Sequence, residues 1–218
     1  MATTPVYLEV GSKRVFACSV DWPGWCRSGR TEEVAIETLA SYAPRYAPVA
    51  VRAGVDFPLT TGEVAADVVE RAPGSGTTDF GAPGTVPQLD HRPVTAAEAR
   101  AAAELLRASW AVFDEVAATA PAELRKGPRG GGRDRDKIVA HVLESEAGYA
   151  RIIGIRRPAP APADQASIAG LRAEILAVLG EPSDGSPVAG RKWPARYAAR
   201  RFAWHVLDHA WEIEDRSE

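Results

Sequence analysis

Cysteine occurs only twice in the 218 residues, as Cys18 and Cys26, and no Cys-x-x-Cys is present. A disulfide framework is thereby excluded, as is a thiolate zinc knuckle, and both thiols are expected to be reduced and at least partly buried. Methionine occurs once, and of 26 basic residues only Lys13, Lys126, Lys137 and Lys192 are lysine. With the abundant Ala, Gly and Pro, this matches the coding bias of a GC-rich genome, which bears on origin and not on mechanism. An excess of charge is missing too. The 26 basic residues stand against 29 acidic ones for a net charge of −3, so no strong field draws the chain to nucleic acid. No apolar run approaches the roughly 20 residues that span a bilayer, and the opening MATTPVYLEV lacks the basic and apolar stretches of a secretory signal. These absences predict a cytoplasmic protein with neither nucleic-acid nor membrane partners.

What is present divides the chain in two. Val6, Leu8 and Val10 alternate onto one face of a strand, Gly11-Ser12 turns, and Val15 to Val20 runs back as a second strand. Asp21-Trp22-Pro23-Gly24 breaks the pattern, and Trp25 to Gly29 returns as a third strand. Thr31 then caps a helix that opens on Glu32 and Glu33 and continues towards Tyr46. Asp67 to Glu70 supplies a last strand, which makes residues 1–72 a small α+β domain. Residues 73–93, rich in Gly and Pro with little apolar periodicity, read as an ordered linker.

Residues 94–218 carry a different pattern. Thr95 caps a helix to about Ala118, Asp134 caps a second to about Ile153, Asp164 or Ser167 opens a third to Leu179, and Pro194 precedes a fourth to about Asp215. Four helices of this length predict an all-α four-helix bundle. The fold class expected of the whole chain is therefore α+β, a small mixed domain followed by a bundle.

Three of the four histidines fall in the bundle segment. At 100° per residue, His141 shares a face with Ile138, Val142, Ser145, Tyr149 and Ile152, while His205 and His209 lie with Phe202, Val206 and Ile213. All three point inward. Two imidazoles four residues apart can hold one ion, and a third from a facing helix completes a site with open positions, the catalytic type. Spacing alone leaves a second reading open, in which these are hydrogen-bonded core histidines. The fourth, His91, is expected at the surface.

At these residues the chain from about 93 to 218 resembles the DinB-like family of bacterial four-helix-bundle proteins, also called YfiT-like metalloenzymes. The match lies in Lys137-Ile138-Val139-Ala140-His141-Val142-Leu143-Glu144 and Trp204-His205-Val206-Leu207-Asp208-His209. The resemblance implies a divalent metal (zinc, nickel or iron) on His141, His205 and His209. It further implies a transferase that uses a low-molecular-weight thiol of the mycothiol type, or a hydrolase of a small substrate. A cation lowers the pKa of a thiol bound to it, which suits the first chemistry. Glu212, near the same face as His209, is the candidate catalytic base or orienting carboxylate; Glu144 and Asp208 could act only from the edge.

Other patterns carry less. The loop Gly127 to Arg135 is rich in Gly and Arg at a helix start, so Arg129 and Arg133 are candidate substrate-binding residues for an anion. It lacks the Gly-Lys-Ser/Thr of a nucleotide-hydrolysing loop. Arg191, Lys192, Arg196, Arg200 and Arg201 concentrate positive charge at the start of the last helix, either a mouth for an acidic substrate or a solvated face. Trp193, Trp204 and Trp211 are expected to pack, the last two on a side away from the histidines. In the first domain, Asp21 to Glu33 resembles the HicB-like antitoxin fold, with its strand, Pro-Gly turn, Gly-x-Thr and acidic helix start. That resemblance implies a protein-binding or homodimer-forming accessory domain, and for the whole chain an alternative role as a non-enzymatic interaction module or scaffold.

Overall fold

The computed structural model describes residues 2–57, 64–127 and 131–217. Within them the chain is mixed α+β, a four-stranded sheet with seven α-helices. Strands β1 (Ala2–Val10), β2 (Val15–Ser19) and β3 (Cys26–Gly29) form an antiparallel meander. Helices α1 (Glu32–Ser41) and α2 (Ala43–Arg52) then cross over to β4 (Val64–Pro73), which pairs parallel to β1, giving the order β3-β2-β1-β4. The expected single helix from Glu32 to Tyr46 is two. Pro44 has no N–H to donate to the carbonyl of Ala40 and its ring clashes there, so α1 ends at Tyr42 and α2 starts afresh with the proline in its first turn. The last strand is longer than Asp67 to Glu70, because its alanines also sit in the ladder.

Both sheet faces are buried. Val6, Leu8, Val15 and Ala17 point to α1 and α2, where Trp25, Leu39 and Tyr46 complete the core. The indole N–H of Trp25 donates to the Leu39 carbonyl at 2.9 Å and the Tyr46 hydroxyl donates to the Pro23 carbonyl at 2.9 Å, so neither large ring hides an unmet polar group. On the other face, Tyr7, Phe16 and Cys18 meet Leu89 and Trp204.

The segment after β4 is an ordered strap across that second face. It carries a short helix, α3 (Gly76–Phe80), and a 3-10 turn at Gln88–His91. Two sheet carboxylates hold it. Glu9, fully buried, accepts from the Gly84 and Thr85 N–H groups at 2.9 and 3.0 Å and from the Thr78 hydroxyl. Glu70 accepts from the Gln88 and Leu89 N–H groups at 2.7 and 2.8 Å. His91 is exposed at its end, as expected.

Four long helices follow: α4 (Ala96–Thr119), α5 (Arg135–Ile152), α6 (Gln165–Leu179) and α7 (Ala195–Ser217). Thr95 and Glu98 form a capping box at α4, and Asp164 accepts from the Ser167 N–H at α6. Asp134 occupies the cap position of α5, but its carboxylate accepts from the Leu124 N–H and pairs with Lys126, tying down the preceding loop. Helix α4 packs on α6 and α7, and α5 on α6 and α7. Their core runs through Leu106, Phe113, Ile138, Val142, Phe202 and Val206.

Helix α7 belongs to every core in the molecule. Phe202 and Val206 enter the bundle, Leu207 and Trp211 join the core beneath α1 and α2, and Trp204 meets the strap face. Gly24 makes the closest approach possible. It sits at φ +92°, and a Cβ there would lie 2.7 Å from Leu207 and 3.0 Å from Ala203, so only glycine lets the β2–β3 turn rest on α7. Of the basic run at the start of α7, Arg196, Arg200 and Arg201 clamp the strap, while Arg191 and Lys192 are exposed. Arg200 meets Asp90 with both side chains buried, Arg201 donates to the Pro83 carbonyl at 2.7 Å, and Arg196 bridges the Pro93 carbonyl and Glu98.

Candidate metal centre

His205 and His209 lie one turn apart on α7, 400° of helical rotation and so nearly on one line, and α5 brings His141 opposite them. One ligand nitrogen from each of the three lies within 4.8 Å of the others. The Nε2 atoms of His141 and His205 are 3.3 Å apart. A tetrahedral centre with metal–nitrogen bonds of about 2.0–2.1 Å has an edge of about 3.3–3.4 Å, so this pair already stands at a ligand spacing. Among the described residues no other group of three or more His, Cys, Asp or Glu converges in this way.

Glu212, one turn further along α7, orients the trio at one corner. Its Oε2 lies 2.8 Å from Nδ1 of His209, and its Oε1 accepts from Arg216 at 2.6 Å. An ionised carboxylate only accepts, so Nδ1 is the donor and Nε2 is the nitrogen of His209 left for an ion. The hydrogen bond from His209, with help from Arg216, holds the Glu212 carboxyl below the ordinary carboxylate range despite partial burial. Glu212 is therefore the predicted orienting group. Glu144 is exposed on α5, where its charge acts on His141, and Asp208 turns away to pair with Arg27 of β3 at 2.9 Å.

Comparison with protein-family models, with curated proteins and with solved structures found no match. The site therefore rests on its own geometry.

Burial pulls the His141 imidazole below its ordinary value, and His209 and Arg133 add to the effect. His205, 6% exposed, is pulled further by burial, then by His209, Arg201, His141 and Arg133. Both are neutral near pH 7, the state in which a ring nitrogen can ligate. Nδ1 of His205 is buried with no hydrogen-bond partner, so within the trio only His209 is fixed by a carboxylate. Aromatic rings close one side: Tyr149 stands edge-on to His205 at 5.5 Å and Trp204 lies 6.0 Å from it, with the Arg201 guanidinium stacked over both. Trp211 packs away from the histidines, in the core beneath α1 and α2, as expected, whereas Trp204, expected on that same side, borders both His205 and the strap face.

An open cleft of about 380 Å³ comes up to Glu212, lined by Arg125, Lys126, Gly127, Gly131, Gly132 and Arg216. Of the two arginines predicted to bind substrate, Arg133 is exposed just before α5 and its charge is felt at both His141 and His205. Arg129 lies outside the described residues. Sequence reasoning missed Arg216 and Arg125 at this cleft. The signal was available in part, since Arg216 stands four residues after Glu212 on one helix.

Proposed function

We propose that the chain is a metal-dependent enzyme of the DinB-like kind, holding one divalent ion (zinc, nickel or iron) on His141, His205 and His209 and acting on a small molecule. The reaction we favour is transfer of a low-molecular-weight thiol, with hydrolysis of a small substrate as the other chemistry the same site would serve. The observation that carries the reading is the convergence of three imidazoles from two helices, two of them at the spacing of a tetrahedral edge. When bound, such an ion supplies a Lewis acid with open positions, where the pKa of a thiol or a water falls.

The protein's own residues do the rest. Burial keeps His141 and His205 uncharged, Glu212 fixes the proton of His209 on Nδ1, and Tyr149 and Trp204 shield one side from water. The basic cleft reaches Glu212, the carboxylate bonded to His209, and in this reading it is the side from which a substrate approaches. In this reading the sheet domain is a HicB-like accessory or homodimer-forming unit. Among the described residues no helix is long and apolar enough to cross a membrane.

Elemental analysis tests the reading, with untagged protein beside a His205→Ala/His209→Ala double variant whose helicity is checked by circular dichroism. About one ion per chain, lost in the variant, is expected for a three-ligand site. A native protein without metal after reconstitution, or a folded variant that keeps its full equivalent, overturns the assignment and turns the trio into core histidines.

A further inference from the structure

Outside the histidine site, two thiols meet in the sheet. Cys18 of β2 and Cys26 of β3 stand directly opposite each other in the antiparallel ladder. The Ser19 N–H donates to the Trp25 carbonyl at 3.0 Å, which marks the neighbouring pair as hydrogen-bonded. By the alternation of such ladders, Cys18 and Cys26 form a non-hydrogen-bonded pair, the kind whose opposed Cα atoms lie about 4.5 Å apart with side chains leaning together. That separation falls inside the roughly 4.4–6.8 Å a disulfide requires, so bridging them needs no backbone movement. The sulfurs are 2.7 Å apart, both thiols are free, and their residues are only 2% and 5% exposed. Both border a void of about 10 Å³, shared with Tyr7, Arg200, Arg201 and Trp204. Its volume is close to the minimum for a single water, so a bulky thiol or disulfide reagent does not fit.

We propose that Cys18 and Cys26 are a dithiol–disulfide pair, oxidised in place by a small peroxide. One thiolate attacks a peroxide oxygen, the O–O bond breaks, and the departing oxygen leaves as water with the thiol's proton, giving a sulfenic acid. The second thiol displaces the hydroxyl from that sulfur; the S–S bond forms, the S–O bond breaks, and a second water leaves. Two thiols are oxidised by two electrons and one peroxide is reduced to two waters. Proximity drives the second step. Thiol acidity limits the first, since burial and the neighbouring Cys18 push the Cys26 thiol well up, and the rate rises about tenfold per pH unit while the thiol stays mostly protonated. The pair also has a position from which it can be felt elsewhere. It packs on Trp204, and Arg27 next to Cys26 holds Asp208; these two residues of α7 immediately precede His205 and His209.

The test uses the intact native chain and hydrogen peroxide at pH 7 and pH 9, quenched in denaturant with a maleimide and read by mass spectrometry. Both cysteines lie in one tryptic peptide, Val15 to Arg27. The expected result is joint loss of both thiols, that peptide lighter by two hydrogens, faster reaction at pH 9, and recovery of both thiols on reduction after unfolding. Persistence of two free thiols at pH 9 overturns the proposal. So does oxygen added to either cysteine as the end product, or a disulfide between two chains.

Discussion

Asp90→Ala removes the carboxylate that meets Arg200 where the strap crosses α7, with Asp90 fully buried and Arg200 6% exposed. The guanidinium keeps one hydrogen bond, from Nη1 to the Val20 carbonyl at 2.7 Å, and the ring of Tyr7 at 5.5 Å. Burial already pulls Arg200 below its ordinary value, yet an arginine does not discharge near neutral pH, so the variant leaves a buried cation without a counter-charge. Removing one partner of such a pair costs roughly 3–5 kcal/mol. At about 2–4 °C per kcal/mol for a chain of this size, the melting temperature is expected to fall by roughly 6–20 °C. Urea unfolding followed by circular dichroism gives the free energy, and differential scanning calorimetry the temperature. Adding Arg200→Met removes the orphaned cation, so the double variant is expected to be more stable than Asp90→Ala alone. A single variant that loses less than about 1 kcal/mol, or a double variant as unstable as the single, refutes the argument that this pair secures the strap to the bundle.

Three further outcomes follow from other contacts. Glu212→Ala frees Nδ1 of His209, and the affinity for added zinc, measured by competition with a chromophoric chelator, is expected to fall about 10–100-fold; a change within threefold counts against an orienting role. Glu9→Ala leaves the Gly84 and Thr85 N–H groups without their acceptor, at a cost of roughly 2–6 kcal/mol, and hydrogen exchange at those amides is expected to quicken while the α5 amides stay protected. Glu98, paired with Arg196 and capping α4, has its carboxyl lowered to about 2 from the ordinary 4.5. A lowered carboxylate stabilises the fold above the unfolded value and loses that contribution as pH falls from 4.5 towards 2. Glu98→Gln is therefore expected to show a smaller drop in urea midpoint between pH 5 and pH 2.5 than the native chain, and an equal drop would refute the linkage.

The helix starts were legible because their causes are local: Thr95 with Glu98 three residues on, and Thr31 before two glutamates, are complete signals within four residues. The inward face of the histidines was legible for the same reason, since it follows from helical period alone. The break at Pro44 was readable but masked, because Tyr42, Ala43 and Tyr46 continue the apolar pattern across it. Other features depend on partners distant in sequence. Nothing in the residues around Glu9 or Asp90 marks them, and only the path of the strap makes them buried anchors. Arg200 and Arg201 look like a charged surface until Asp90 and Pro83 arrive beside them, more than a hundred residues away in the chain. The close packing of sheet and bundle was likewise hidden, since Leu207 and Trp211 could have served any neighbouring face.

Helix α7 has almost no side of its own left to solvent over the stretch from Tyr197 to Ile213. A rod gripped all round cannot roll, and so the direction in which its two histidines face is set by the packing. For the ion proposed above, uptake by such a frame would be closer to filling a socket than to building one, with little side-chain freedom left to lose. To bend or turn this helix toward any other spacing of ligands would disturb three cores at once.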